Sequence, residues 1–210
     1  MKSRRRLTSL LAAIALAAAA LDGNAQDRMP PLSPDQLSAE QAQALAEFVA
    51  ARGQLTGPWV VLLRSPELMT RTRGLSDYLR FESVLPGYLR EFVILMTARQ
   101  WGQSYEWNAH YPLALDEGFS AEMAQAIAEG RRPEGMVEEE AILYELVLEL
   151  QRNHGVSDAT YDKAVERFGE QGVVETVSLV GYYTMISMIL NTARTPLPAD
   201  AEPALTPFPY

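Results

Sequence analysis

The chain has 210 residues, contains no cysteine and carries a formal net charge of −9 at pH 7. This length fits one domain with a sizeable core, and the acidic balance argues against nucleic acid as a partner, because phosphate binding needs a positive surface. Thiol and disulfide chemistry is excluded, so stability must come from packing or from oligomerisation.

Residues 1–25 are typical of an export signal. Arg4 to Arg6 precede an apolar run from Leu10 to Leu21, which is shorter than the roughly twenty residues of a membrane-spanning helix. We therefore predict export, to the bacterial periplasm, with no membrane attachment after cleavage. An uncleaved anchor is the alternative, and Sec and twin-arginine export both fit. Cleavage removes four basic residues and one acidic residue, which leaves a formal charge of about −12.

The rest of the chain predicts an all-α, compact multi-helix domain over residues 26–195 and a proline-rich tail over residues 196–210. No strand signal, phosphate-binding loop or Ser/His/Asp arrangement is found in the sequence. Ser33 and Pro34 together are typical of a helix start, and Gly53 is typical of the end of that helix.

A further helix is expected from about Pro66 to Phe81, with an interruption or bend near Gly74. Five of its apolar side chains are expected in the core: Met69, Leu75, Tyr78, Leu79 and Phe81. Its arginines matter in so acidic a chain, because an anionic substrate needs cationic groups close to the catalytic helix. The candidates are Arg71, Arg73 and Arg80.

A pair of helices near the middle of the chain carries the polar groups of greatest interest. Phe92–Ala98 is apolar on almost every side of a helical wheel, which predicts a helix buried in a core or an oligomer. Glu91 lies near the start of that helix. Glu106 and His110 are four residues apart and therefore share one face of a second helix, from about Ser104 to Asp116. The sequence thus predicts a helical hairpin that gathers two carboxylates and one imidazole.

These groups also have plainer explanations. Glu91 could be a buried acid satisfied by Arg90, Arg99 or a backbone donor, and Glu106 with His110 could be an ordinary surface pair. A metal site formed by the three groups is a further alternative. One histidine is a poor donor set for zinc or iron, so we expect neither a metal nor another cofactor.

The later helices are predicted mainly to pack. Val137–Asn153 is strongly amphipathic, with His154 as its C-terminal cap, and Ser157 caps the next helix. A long apolar helix follows over Gln171–Asn191. Four large side chains on its later turns are either core or subunit contacts, or else the wall of a pocket: Tyr182, Tyr183, Met185 and Met188.

Several short segments in the hairpin and just after it match a known sequence pattern: Leu89-Arg90-Glu91, Tyr105-Glu106-Trp107, His110, Leu113-Ala114 and Glu117-Gly118. With the apolar helix between the first two, this order resembles the carboxymuconolactone decarboxylase family, which includes the alkyl hydroperoxidase D-like (AhpD-like) proteins. Val173–Thr192 is similar to the closing helix of that family. The resemblance covers most of the chain after about residue 40 and implies an all-α fold.

The redox branch of this family carries Cys-x-x-Cys, a histidine four residues after the second cysteine, and a glutamate on the preceding helix. The cysteine positions correspond to Gln103 and Glu106, whereas Glu91 and His110 match the glutamate and the histidine. Dithiol peroxidase chemistry is excluded because it needs two sulfurs. The resemblance implies the decarboxylase-like branch, which acts without metal or redox cofactor and uses a histidine in proton transfer. His110 would be the general acid/base, Glu106 would orient and charge it, and Glu91 would be a second acid or a buried anchor.

The predicted function is therefore cofactor-free decarboxylation or isomerisation of a small carboxylated lactone or related acid. The candidate substrate-binding residues are Arg99, Tyr105 and Trp107, the substrate is expected to be anionic, and the protein is expected to be a homo-oligomer. The alternative is a non-catalytic binding or assembly protein that kept the helical scaffold after losing the redox cysteines. A pocket filled by Trp107 or Tyr182 would favour this alternative.

Overall fold

The computed structural model describes residues 27–198, Ala201 and Leu205. Across these residues the chain forms eight α-helices and no strand, which confirms the all-α prediction. The predicted export signal over residues 1–25 and most of the predicted tail lie outside the described residues. The helices are α1 Ala39–Arg52, α2 Pro58–Leu62, α3 Pro66–Asp77, α4 Gly87–Gln100, α5 Ser104–Asp116, α6 Ala121–Ala128, α7 Glu138–Asn153 and α8 Asp158–Ala193.

Helix α4 lies at the centre of the fold. Every residue from Glu91 to Arg99 is buried, and α4 packs against α5, α6, α7 and α8. A helix that is apolar on all sides is stable only when other elements surround it, and the order of the chain supplies them. Gly102, with φ of 55°, turns the chain from α4 into α5, so the predicted hairpin is present.

The first helix begins later than its sequence signals predicted. Ser33 and Pro34 start only a short 3₁₀ turn, and α1 begins after Ser38, whose hydroxyl accepts a hydrogen bond from the Gln41 amide at 3.2 Å. Both serines have a glutamine three residues later, so both fit a capping box. The 3₁₀ turn itself has no buried residue, whereas α1 buries Ala44 and Phe48. Gly53 ends the helix at φ of 85°, as predicted.

The helix is not interrupted at Gly74, because α3 continues through that residue. The irregularity comes later, where α3 passes directly into one π-helical turn, Tyr78–Glu82, called the π-turn below. Met69 and Leu79 are buried as predicted. The other three expected core residues are exposed by 39–66%: Leu75, Tyr78 and Phe81. Helix α3 faces the core through Met69, Thr72 and Ser76, and the π-turn changes the spacing beyond them.

The two last helices follow the prediction closely. His154 ends α7 in the left-handed conformation, with φ of 58°, and the Ser157 side chain caps α8. Gly169, with φ of 70°, divides α8 at a kink, between the two predicted segments. By length and composition alone α8 could cross a membrane, but 56% of its most apolar window is buried inside the fold, as befits a core helix.

Glu175 on α8 holds the π-turn against the core. Its carboxylate accepts hydrogen bonds from the Tyr78 hydroxyl at 2.6 Å, the Ser83 hydroxyl at 2.7 Å, the Val84 amide at 2.8 Å and the Gln171 side chain at 2.8 Å. Burial raises the pKa of Glu175, but these hydrogen bonds outweigh it and lower the pKa to about 2.

Ionised Glu175 therefore stabilises the fold above the ordinary glutamate pKa, and this contribution is lost as the pH falls towards 2. We expect Glu175→Gln to lower the free energy of unfolding by about 2 kcal/mol at pH 7, since the hydrogen bonds involve a charged acceptor, and by less at pH 3. Urea unfolding at both pH values measures this. Exposed Glu170→Gln is the control, and an equal loss at both pH values would contradict the assignment.

Candidate functional site

The α4–α5 hairpin brings both candidate carboxylates to the one histidine. Glu91 Oε2 lies 2.6 Å from His110 Nδ1, and Glu106 Oε2 lies 3.7 Å from His110 Nε2. All three residues are buried, with at most 7% of their surface exposed. The explanation of Glu106 and His110 as an ordinary surface pair therefore does not hold.

The close contact to His110 comes from Glu91 and not from Glu106, to which the sequence assigned the orienting role. A separation of 2.6 Å is that of a strong hydrogen bond, whereas 3.7 Å is too long for one. A spacing of four residues puts Glu106 and His110 on the same face, but it does not make their side chains converge. Packing of α4 against α5 does that for Glu91. Since Nδ1 is engaged, Nε2 is the nitrogen available for chemistry.

Glu106 is a carboxyl group in a setting that disfavours its charge. Burial raises the pKa of Glu106, and the nearby Glu91 adds to this, while His110 and Arg80 oppose it. The neutral acid, which can donate a hydrogen bond, is therefore favoured over the carboxylate relative to a glutamate in water.

A cavity of about 260 Å³ opens beside Glu106 and His110. This is below the roughly 300–1,000 Å³ usual for sites that hold drug-sized ligands, so the cavity suits a small molecule. Its wall combines apolar side chains from α1, α2 and α8 with polar groups from α1, α5 and the π-turn: Phe48, Trp59, Ile186, Arg52, Tyr105 and Arg80.

Tyrosines of α8 close the side of the cavity next to His110. The ring of Tyr183 meets the imidazole edge-on at 5.0 Å between centroids, and Tyr182 packs on Tyr183 at 5.1 Å. Burial raises the pKa of Tyr182 to about 12, so its hydroxyl stays protonated and can donate a hydrogen bond. Two roles were left open for these tyrosines, and they fill both. Each is buried in the core, and each also lines the cavity.

The three predicted substrate-binding residues have different positions. Tyr105 lines the cavity, whereas neither Arg99 nor Trp107 belongs to its wall. Trp107 is only 1% exposed and stacks on Tyr111 at 6.1 Å between ring centroids. Arg99 is buried within α4. Of the three predicted residues, only Tyr105 reaches the cavity.

Arginines from earlier in the chain supply the cationic groups of the cavity. Of the three arginines noted in the sequence, Arg80 lines it, while Arg71 pairs with Glu67 on the surface and Arg73 is not in the wall. Arg52 also lines the cavity and had no sequence signal other than its charge. Arg52 and Arg80 are far apart in the sequence, and whether both reach the cavity depends on how α1 and α3 pack.

Gln103, at a position where the redox branch has cysteine, has a structural role that the sequence did not reveal. Its side chain accepts a hydrogen bond from the Tyr105 amide at 2.7 Å, which caps α5, and donates one to Asn191 on α8 at 2.8 Å. Gly57, at φ of 56°, has no room for a side chain, because a Cβ would lie 2.6 Å from the Tyr105 ring. Both contacts fix Tyr105 at the cavity.

No group of three histidine, cysteine, aspartate or glutamate side chains is placed to hold a metal ion in the part of the chain that the structure describes. Glu91 and Glu106 approach opposite nitrogens of the His110 ring. The two carboxylates therefore flank the imidazole, and the three groups do not converge on one point.

The helical order and the central hairpin define an AhpD-like all-α fold, in agreement with the resemblance of the sequence. A peroxidase-related AhpD core protein from Ralstonia eutropha JMP134 superimposes with a TM-score of 0.68, at 15% identity over 82% of this chain and 93% of its own. A peroxidase-related protein from Silicibacter sp. TM1040 gives 0.66, at 11% identity over 85% and 94%. The debrominase Bmp8, in complex with 2,3,4-tribromopyrrole, gives 0.65, at 12% identity over 83% and 94%.

No family model matches the sequence, and no curated protein matches it. At sequence identities of 11–15%, the structural similarity to these solved structures establishes the fold alone. Because one fold carries many activities, function has to be argued from the site.

Proposed function

We propose that this protein is an enzyme that transfers a proton during the decarboxylation or isomerisation of a small carboxylated lactone or related acid. The observation that carries the proposal is the buried contact of 2.6 Å between Glu91 and His110, beside a cavity that is large enough for such a molecule. A carboxylate on one nitrogen of an imidazole orients the ring and stabilises its protonated form, which leaves the other nitrogen to exchange a proton.

In decarboxylation, the bond between the substrate carbon and its carboxylate breaks and carbon dioxide leaves. The electron pair moves into the conjugated carbonyl, and protonated His110 then gives its Nε2 proton to the substrate carbon. In isomerisation, neutral Nε2 removes a proton from one carbon and returns it to another. Glu91 remains ionised in both schemes and balances the imidazolium charge.

The remaining polar groups of the cavity support either scheme. An enolate oxygen that develops negative charge is stabilised by donors already in place. The Tyr182 hydroxyl is such a donor, and Glu106 is another in its protonated form, which burial favours. Arg80 adds a positive charge at the same wall. Apolar Trp59 and Ile186 exclude water from part of the cavity, which favours loss of a carboxylate that must leave its hydration shell.

The test is a screen of carboxylated lactones and unsaturated acids in D₂O, followed by proton NMR. We expect deuterium incorporation, or loss of the carboxyl group, for at least one compound. His110→Gln should reduce this rate about 100-fold or more, because general acid–base catalysis contributes roughly that much. His154→Asn, which changes the other histidine at the end of α7, is the control. A rate that survives in His110→Gln would contradict the proposal.

The second candidate is the non-catalytic binding or assembly protein, and one observation favours it. Helix α8 exposes apolar side chains on one outer stripe, with Val174 63%, Val177 38% and Met188 43% exposed. Such a stripe supports the homo-oligomer predicted from the sequence. Tyr182 lines the cavity without filling it, which supports the enzyme. For both candidate functions we propose a periplasmic location, on the basis of the predicted signal at residues 1–25.

A further inference from the structure

We propose that Arg80 on the π-turn is the anchor for a carboxylate of the ligand that the reaction does not remove, and that the cavity is selective for molecules that present such a carboxylate to it. The proposal deepens the function proposed above, since it names the substrate class of the same site. It concerns binding, however, and can be tested without turnover.

Arg80 has hydrogen-bonding capacity that the described part of the chain does not use. Its guanidinium lines the cavity, and its Nε is buried with no hydrogen-bond partner within the described part of the chain. The guanidinium lies 5.1 Å from the centroid of the Phe81 ring, and Arg80 forms no ion pair with any described residue. A buried donor without a partner is unfavourable, so an acceptor in the cavity would stabilise it.

The two arginines of the cavity differ in the partners of their guanidinium groups. Arg52 is paired with Asp77, hydrogen-bonded to Ser76 at 3.3 Å and stacked over Trp59 at 5.1 Å. Its charge is therefore already compensated. Arg80 stacks on Phe81, but its buried Nε has no hydrogen-bond partner in the described part of the chain.

The acidic groups of the site do not compensate Arg80 either. Glu91 is directed to His110 at 2.6 Å and forms no ion pair with Arg80. Burial favours the neutral form of Glu106. Arg80 opposes the rise in the Glu106 pKa, but it forms no ion pair with a described carboxylate, so a carboxylate on the ligand can pair with it.

The shape of the Arg80 guanidinium suits a carboxylate. A guanidinium presents parallel N–H groups that match the two oxygens of a carboxylate, whereas an ammonium acts as a point charge. The π-turn supplies a rigid support, because Glu175 binds both of its ends through Tyr78, Ser83 and the Val84 amide. Arg80 is thus held where it can orient a ligand towards Nε2 of His110.

The experiment is calorimetric titration of the whole protein with benzoate, and with the uncharged isostere benzamide. We expect benzoate to bind at least tenfold more tightly than benzamide, and the Trp59 indole N–H signal to shift in the NMR spectrum because Trp59 lines the cavity. Arg80→Gln should weaken benzoate binding at least tenfold without changing benzamide binding. Arg80→Lys should recover part of the loss.

Arg71→Gln is the matched control, since Arg71 is an exposed arginine of α3 that pairs with Glu67, and it should bind benzoate as the wild type does. Circular dichroism checks that each variant is folded. Benzoate binding that is unchanged in Arg80→Gln, benzamide binding as tight as that of benzoate, or no benzoate binding by the wild type would each overturn the anchor.

The anchor and the reaction can fail separately. His110→Gln should still bind benzoate, because Arg80 is unchanged. If benzoate binding depends on Arg80 but no lactone or unsaturated acid reacts, the proposed reaction is wrong and the anchor stands. If turnover depends on His110 while benzoate binds equally well without Arg80, the anchor is wrong and the reaction stands.

Discussion

Glu91→Gln is expected to reduce turnover about 100-fold or more while leaving the protein folded, because an amide cannot replace the carboxylate that orients a catalytic histidine. The carboxylate accepts a hydrogen bond from the N–H of Nδ1 at 2.6 Å and balances the charge of the imidazolium when His110 is protonated. An amide carries no charge, and its NH₂ group can donate to Nδ1, which favours the tautomer with the proton on Nε2. The nitrogen that should remove a proton would then be blocked.

Two measurements separate this role from a merely structural one. Nitrogen-15 NMR should show the proton of neutral His110 on Nδ1 in the wild type and on Nε2 in Glu91→Gln. Glu106→Gln is the comparison, because Glu106 is 3.7 Å from Nε2 and makes no close contact. It should keep the wild-type tautomer. Turnover within about threefold of the wild type in a folded Glu91→Gln protein would show that the contact does not serve proton transfer.

Phe92→Ala is expected to have the largest effect on stability, lowering the free energy of unfolding by about 3–5 kcal/mol. Phe92 is 0% exposed on the central helix, and its ring lies 5.2 Å from that of Phe119. The loss combines the transfer of a large apolar side chain with the space left behind, since α4 is surrounded by packed helices and cannot collapse into it.

Urea unfolding followed by circular dichroism measures this loss. Phe81→Ala is the matched control, because Phe81 is 66% exposed on the π-turn, and surface substitutions usually change stability by less than about 0.5 kcal/mol. Similar losses in the two variants would mean that α4 is not the centre of the core.

Much of the fold could be predicted because its signals are local. A run such as Phe92–Ala98, apolar on all sides, requires burial wherever it occurs. Caps and stops at Gly53, His154 and Ser157 depend on residues within one turn of them. The start of α1 was misplaced because Ser33 and Ser38 both fit a capping box, and only packing against the core decides between them.

The candidate site could be predicted in its residues but not in its contacts. The resemblance and the spacing identified Glu91, Glu106 and His110, yet the close partner of the imidazole is set by how two helices pack. Arg52 and Arg80 reach the cavity through contacts distant in sequence. The π-turn had no signal at all, because its wider hydrogen-bond spacing leaves no compositional mark.

The π-turn is a difference in chain length as well as a difference in shape. A π-helical turn holds one residue more than the α-helical turn that it replaces, and each residue advances about 100° around an α-helix. Deletion of one residue between 78 and 82 would restore the α-helical register and rotate residue 80 away from the cavity, while the surrounding helices could remain as they are. If Arg80 is the anchor proposed above, a single-codon deletion would thus remove its guanidinium from the wall of the cavity.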